Sequence, residues 1–202
     1  VSMNAAEYAQ SGNKVYPFHL GDLDIRTPRK IIEATYRALL SGKTGYNPAQ
    51  GLPELREILA ETVGSERGIH YDRHNIAIQP GGKPVITKFS QALMNPGDGV
   101  LYPNPGYPIY ESQIEFHGGI ALSYGFIPTD DGFMIDRESL EEIIDNNTRL
   151  LIYNNYQNPM GCESSNDEMV WLAELAIRYN LWVLSDEAYF HIRYSGNSRS
   201  IA

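Results

Sequence analysis

The sequence predicts an α/β fold, with a mostly parallel sheet flanked by helices on both faces. Three observations carry that reading. Short apolar runs alternate with segments of helical period along most of the chain. The runs end in stretches rich in Gly, Asn, Asp and Tyr. At 202 residues, 42% of them hydrophobic and 20% charged, the chain is long enough to bury a sizeable core. Strands separated by helices close through right-handed crossovers, which cover both faces of the sheet.

Residues 28–40 read as a helix, with Thr27 as its cap, Pro28 in the first turn, and a stripe of Ile31, Ile32, Ala34, Ala38 and Leu39. Residues 53–66 read as a second helix on Leu55, Ile58, Leu59 and Val63. A short strand is expected over 75–79, ending at Pro80-Gly81-Gly82, then a helix over 84–94. Asn95-Pro96-Gly97-Asp98 is a turn. A buried strand over 99–102 runs into Pro103-Asn104-Pro105-Gly106, and 107–116 is helical. Residues 120–126 read as extended, 138–145 as helix, 149–153 as strand, 167–179 as an amphipathic helix, and 182–184 as a strand ending on Ser185-Asp186.

Composition narrows the function. A net charge of −9 argues against a general nucleic-acid binder, which would show a basic face. The single cysteine, Cys162, leaves no internal disulfide framework and fits a cytoplasmic protein. No apolar run approaches the roughly 20 residues of a membrane helix. His70 and His74 lie four apart with no third ligand near them, so no metal site is expected.

Ligands of parallel sheets sit beyond the carboxyl ends of the strands. That rule selects four places. Gly81-Gly82-Lys83 joins a strand to a helix, where glycine backbone and free N–H groups suit a phosphate, although a plain tight turn would look the same. Tyr107 follows a proline-stiffened loop and offers a ring for a flat ligand, or simply packs at a helix start. Asn154 to Gly161 supplies amides that donate and accept, or a turn at Asn158-Pro159. Asp186, straight after a buried strand, needs a donor or cation; a protonated pyridine nitrogen serves, as would Arg149 or Arg193. Tyr189, three residues on, has a hydroxyl to offer. A conjugated pyridine bearing a phosphate uses all four places at once.

These residues resemble the class I/II aminotransferases of pyridoxal-phosphate fold type I. The likeness runs from Leu20 to about Tyr194. It rests on Leu20-Gly21-Asp22-Leu23-Asp24 with Thr27-Pro28, and on Tyr46-Asn47-Pro48-Ala49-Gln50-Gly51 followed by Leu55-Arg56. It continues with Asn95-Pro96-Gly97-Asp98, Tyr102 to Tyr110, Asn158-Pro159-x-Gly161 and Asp186-Glu187-x-Tyr189. Met160 stands where the family usually has threonine, and Gly82-Lys83-Pro84 is not its commonest phosphate loop.

The resemblance implies the large domain of that fold over 41–202, incomplete at the C-terminus, with 1–40 belonging to a small domain and an entry helix. It implies pyridoxal 5′-phosphate as cofactor, amino-acid and 2-oxo-acid substrates, and a homodimer with shared sites. It assigns the phosphate to Gly81, Gly82 and Lys83, ring stacking to Tyr107, the phenolic oxygen to Asn158 and Tyr189, and the ring nitrogen to Asp186. Gly21 would lie near the substrate carboxylate, and Tyr46 would reach the phosphate of the other subunit. The Schiff-base lysine belongs after the Asp-x-x-Tyr segment, and no lysine follows Lys88. The expectation is therefore an aminotransferase N-terminal half, inactive alone, with a related lyase or a non-catalytic cofactor-binding fragment as the alternatives.

Overall fold

The computed structural model describes residues 2–18, 21, 25–130, 132–194 and 196–202. The chain divides into two compact units, 1–47 and 48–202.

The first unit holds α1 (Ser2–Gln10) and α2 (Arg29–Leu40), neither with a buried residue. The polar start of the chain gave no reason to expect α1. The expected helix over 28–40 begins one residue later. Pro28, not Thr27, takes the cap position and makes no side-chain cap. Its apolar stripe is present but uncovered, with Ile31, Ile32, Tyr36, Leu39 and Leu40 all exposed. Of the Leu20 to Asp24 segment only Gly21 lies within the described residues, and it is exposed.

The second unit opens with α3 (Pro53–Arg67). Proline in the first turn starts it, Glu54 favours its positive end, and Gly68 at φ 69° stops it. The strand expected over 75–79 does not form. Asp72 caps a 3₁₀ turn over Arg73–Asn75, and Asn75 returns a bond to the Asp72 N–H. The extended residues that follow give their polar groups elsewhere: Arg56 Nε donates to the Ile76 carbonyl at 2.8 Å, and the Ile78 N–H to Gln50 at 2.8 Å.

Then come α4 (Gly82–Leu93), β1 (Gly99–Pro103), α5 (Ile109–Phe116) and β2 (Ile120–Tyr124). The extended stretch read as one element over 120–126 is two. Gly125 separates β2 from β3 (Phe126–Thr129), which pairs antiparallel with β4 (Gly132–Ile135) in a hairpin apart from the main sheet. Four residues of β4 were too short a run to register in the sequence. The remainder is α6 (Arg137–Glu142), β5 (Thr148–Asn154), α7 (Asn166–Arg178) and β6 (Trp182–Asp186). Asp136 caps α6 and Ser165 caps α7, each accepting from a backbone N–H of the first turn.

The main sheet is parallel throughout, in the order β2-β1-β5-β6. Side chains alternate between its faces. Leu101, Leu151, Tyr153 and Val183 pack with Leu140 of α6 and with Met169, Leu172 and Leu175 of α7. Val100, Tyr102, Leu150, Ile152 and Leu184 pack with Ile86 of α4 and Tyr110 and Ile114 of α5. Helices therefore cover both faces, as the sequence predicts. From β1 the chain crosses to one side of the sheet through α5, and from β5 to the other through α7. The crevice between the ends of β1 and β5 is the topological switch point, where such sheets bind ligands.

Four buried tyrosines make this core sensitive to alkali. Burial, helped by Glu111, pushes Tyr102 up to about 12, and burial holds Tyr110, Tyr124 and Tyr153 above the ordinary tyrosine range. Unfolded, all four ionise near 10. Above that pH the folded chain binds more protons than the unfolded one, so stability falls as pH rises from about 10 toward 12. In a spectrophotometric titration followed alongside circular dichroism, these tyrosines will ionise late and together with loss of helix signal. Ionisation of all 14 tyrosines near pH 10 with the helix signal intact would contradict this.

Candidate functional site

The end of β1 turns sharply through Pro103 to Gly106. A Cβ on Gly106 would collide with the Pro103 carbonyl, so only glycine fits there. Asn104 donates its N–H to Tyr124 at 2.8 Å, tying the turn to β2. Helix α5 begins at Ile109 and not at Tyr107, because Tyr107 still belongs to the turn: its carbonyl accepts from the Tyr110 N–H at 3.1 Å. The Tyr107 ring meets the Tyr110 ring edge-on, with centroids 5.7 Å apart.

Across the crevice, Asn154 ends β5 in register with Asp186 at the end of β6. The Asn154 amide donates to the Asp186 carbonyl at 2.9 Å, and its oxygen accepts from the Asn158 N–H at 2.8 Å. Gln157 bridges the switch point, donating from Nε2 to the Pro105 carbonyl at 2.6 Å, while its oxygen accepts from the Met160 N–H at 2.9 Å. Asn154, Asn155 and Gln157 are all buried. These bonds leave the Asn158 amide directed at the Tyr189 hydroxyl, 3.5 Å away, too long for a strong bond.

The Asp186 carboxylate accepts from the Tyr110 hydroxyl at 2.7 Å and from the Ala188 N–H at 3.1 Å. Among the described residues no cation pairs with it. Arg149 donates to the carbonyls of Asn146 and Thr148, and Arg193 pairs with Glu163 at 3.0 Å, so neither arginine answers Asp186. The neighbouring Glu187 is neutralised instead. Arg67, at the end of α3, pairs with it through Nε at 3.0 Å and through NH2, and lies over the Phe190 ring at 4.3 Å. Both side chains are nearly buried, at 12% and 13% exposure.

Gly81, Gly82 and Lys83 are exposed at the start of α4. Gly82 and Lys83 are the first two residues of the helix, which starts two residues earlier than its proline implied. Gly81 has φ 97°, and a Cβ on Gly81 or Gly82 would meet nothing within 4 Å. The helix start is thus unobstructed at both glycines, and the N–H groups of Gly82 and Lys83 have no partner within the helix. A cavity of about 480 Å³ lies on the other flank, walled by Tyr156, Asn158, Glu163, Tyr189 and Arg193 among others. Its walls do not include Tyr107, Asp186 or the glycine turn. Tyr46 and Gly21 belong to the first unit, and both are exposed.

Residues 13–200 match the family described as aminotransferase class I and II. The chain belongs to the class I and II aminotransferases. It is 34% identical over 196 residues to the aspartate/prephenate aminotransferase of Thermus thermophilus, covering 97% of this chain and 51% of that protein. Over 175 residues it is 38% identical to a probable aspartate aminotransferase of Methanocaldococcus jannaschii, covering 87% and 46%. The alanine aminotransferase structure from Pyrococcus furiosus superposes with a TM-score of 0.93 at 28% identity, over 100% of this chain and 52% of that one. The chain thus spans about half the length of the relatives it matches.

Aminotransferases of this family use pyridoxal 5′-phosphate. The groups present fit it. A carboxylate with no cation partner among the described residues stands at the end of β6, the start of α4 is open at two glycines, and an amide and a phenol face each other at the Asn158–Tyr189 gap. The sequence assigns no individual role to Asn154, Gln157 or Tyr110. The residues at 154 and 157 lay within a stretch already singled out; nothing in the sequence pairs Tyr110 with a residue 76 positions away.

Two substitutions test the supports. Glu187→Ala removes both Glu187 bonds of the nearly buried Arg67 guanidinium and leaves it only the longer pairing with Glu66 at 3.3 Å, and should lower unfolding stability by about 1–3 kcal/mol in urea. Gly106→Ala forces the turn open and should cost about 1–3 kcal/mol; an unchanged urea midpoint for either would show that its site relaxes freely.

Proposed function

We propose that the protein moves an amino group between an amino acid and a 2-oxo acid using pyridoxal 5′-phosphate. The observation that carries this reading is the Asp186 carboxylate, fixed by two hydrogen bonds at the end of β6 with no cation among the described residues to neutralise it. The relatives' names, aspartate/prephenate and alanine aminotransferase, support amino-acid and 2-oxo-acid substrates, with aspartate among the amino donors.

When bound, the cofactor supplies a protonated pyridine ring that draws electrons from the carbon bearing the substrate's amino group. Asp186 accepts from the ring N–H and keeps that nitrogen charged. Tyr107 lies against the ring. Asn158 and Tyr189 donate to its phenolic oxygen. Gly81, Gly82 and Lys83 take the phosphate, where free backbone N–H groups, the helix dipole and one ammonium add together. Gly21 lies near the substrate carboxylate, and Tyr46 reaches the phosphate bound by a second copy in a homodimer. Residues 1–40 belong with a small domain and 41–202 with the cofactor-binding large domain. Lys14, Lys30, Lys43, Lys83 and Lys88 all precede Asp186, and none is assigned the Schiff base.

Pyridoxamine 5′-phosphate binds without a covalent bond and is therefore the probe. Its fluorescence should titrate saturably against the protein. Asp186→Asn should weaken binding roughly 10- to 100-fold, the range for a lost hydrogen bond to a charged group. Absence of saturable binding by the unsubstituted protein would sink the proposal.

A further inference from the structure

We propose that Tyr110 is a positioning residue for the cofactor site, its hydroxyl fixing Asp186 while its ring fixes Tyr107. The inference rests on the function proposed above. Tyr110 sits in the first turn of α5 and is 1% exposed. Its hydroxyl donates to Asp186 Oδ2 at 2.7 Å, and its ring stands edge-on to Tyr107 at 85°. One buried side chain therefore touches both the acid and the aromatic plate assigned to the ring, which come from β6 and from the β1 turn.

The chemistry of the contact suits a support. Ala188 N–H binds Oδ1 and Tyr110 binds Oδ2, so each carboxylate oxygen has one fixed donor and the group cannot rotate without losing both. A carboxylate has about four acceptor positions, which leaves lone pairs for a ring N–H. A phenol also donates without contributing charge. Burial, and then the Asp186 charge, push the Tyr110 hydroxyl far above its ordinary value, so it remains a donor at any working pH. An arginine or lysine there would compete with the ring nitrogen for Asp186; a tyrosine orients the acid and leaves its charge to the ligand.

The test is a double-mutant cycle on the full-length protein, read by pyridoxamine 5′-phosphate binding and by the absorption of the bound ring, which reports protonation of its nitrogen. Tyr110→Phe keeps the ring contact with Tyr107 and removes only the hydroxyl. It should raise the Kd about tenfold and move the bound-ring absorption toward that of Asp186→Asn. The double variant should bind no more weakly than Asp186→Asn alone, because the hydroxyl acts only through that acid. Unfolding midpoints of the four unliganded proteins should show the same non-additivity. Wild-type affinity in Tyr110→Phe, or losses that multiply in the double variant, overturns the role of Tyr110 and leaves the proposed function standing. Failure of the unsubstituted protein to bind overturns both.

Discussion

The side-chain amide of Asn154 is the link on which the site's geometry depends. Asn154 and Asp186 are in register at the carboxyl ends of adjacent parallel strands. The amide closes that register by donating to the Asp186 carbonyl, then turns its oxygen to the Asn158 N–H. One buried residue thus spans the end of β6 and the loop leaving β5. Unmade, either bond would strand a polar group in an interior with little water. Gln157 repeats the device toward β1 through the Pro105 carbonyl. The crevice at the switch point is consequently walled by amides whose donors and acceptors are already committed, and the groups left over, Asn158 Nδ2 and the Tyr189 hydroxyl, face outward from a rigid frame.

The two adjacent acids at the end of β6 show how environment separates like residues. Glu187 is clamped by Arg67, with Ser185 and Ser200 completing its hydrogen bonds. Its charge is answered within the protein. Asp186, one residue earlier and on the opposite side of the strand, meets only neutral donors. The pairing of Glu187 also holds the segment that carries Tyr189, since the Arg67 guanidinium lies over Phe190. A buried ion pair adds little net stability because desolvation offsets much of the attraction. Its consequence here is registry: α3 and the β6 loop, 120 residues apart, cannot slide without separating two nearly buried charges.

The parallel sheet was legible because buried stretches such as 150–153 are continuous apolar runs between amphipathic helices, and tertiary packing agrees with local preference there. The four strand ends were legible for the same reason: the sheet's topology, and not any motif alone, selects them. What was not legible has equally specific causes. The stretch after Asn75 has strand-like residues, but its polar groups are taken by Arg56 and Gln50, a pairing invisible to local pattern. Gly125 ends one strand and permits another in a different sheet, while periodicity runs straight through it. Tyr110 stands in the sequence only as the end of the Tyr102 to Tyr110 segment; its distinguishing feature is the hydroxyl's partner, 76 residues on.

On an acidic chain, local charge and not the total decides where an anion could sit. The net charge of −9 is a sum over the whole surface, whereas an ion at ordinary salt feels charges within a screening length of about 8 Å. At the start of α4 the helix's own charges are its positive end, the exposed Lys83 and, further along, Lys88, with no acidic residue in the first turn. Backbone N–H groups there are fixed in direction, so meeting a phosphate would need no reorganisation. The start of α3 makes the contrast: Glu54 in its first turn already answers the dipole. Of these two helix starts, the one without an acid is the one that opens on two glycines, Gly81 and Gly82, and belongs to a helix packed against β6. Local charge, backbone exposure and position relative to the sheet select the same place, and no bulk property of the chain would have found it.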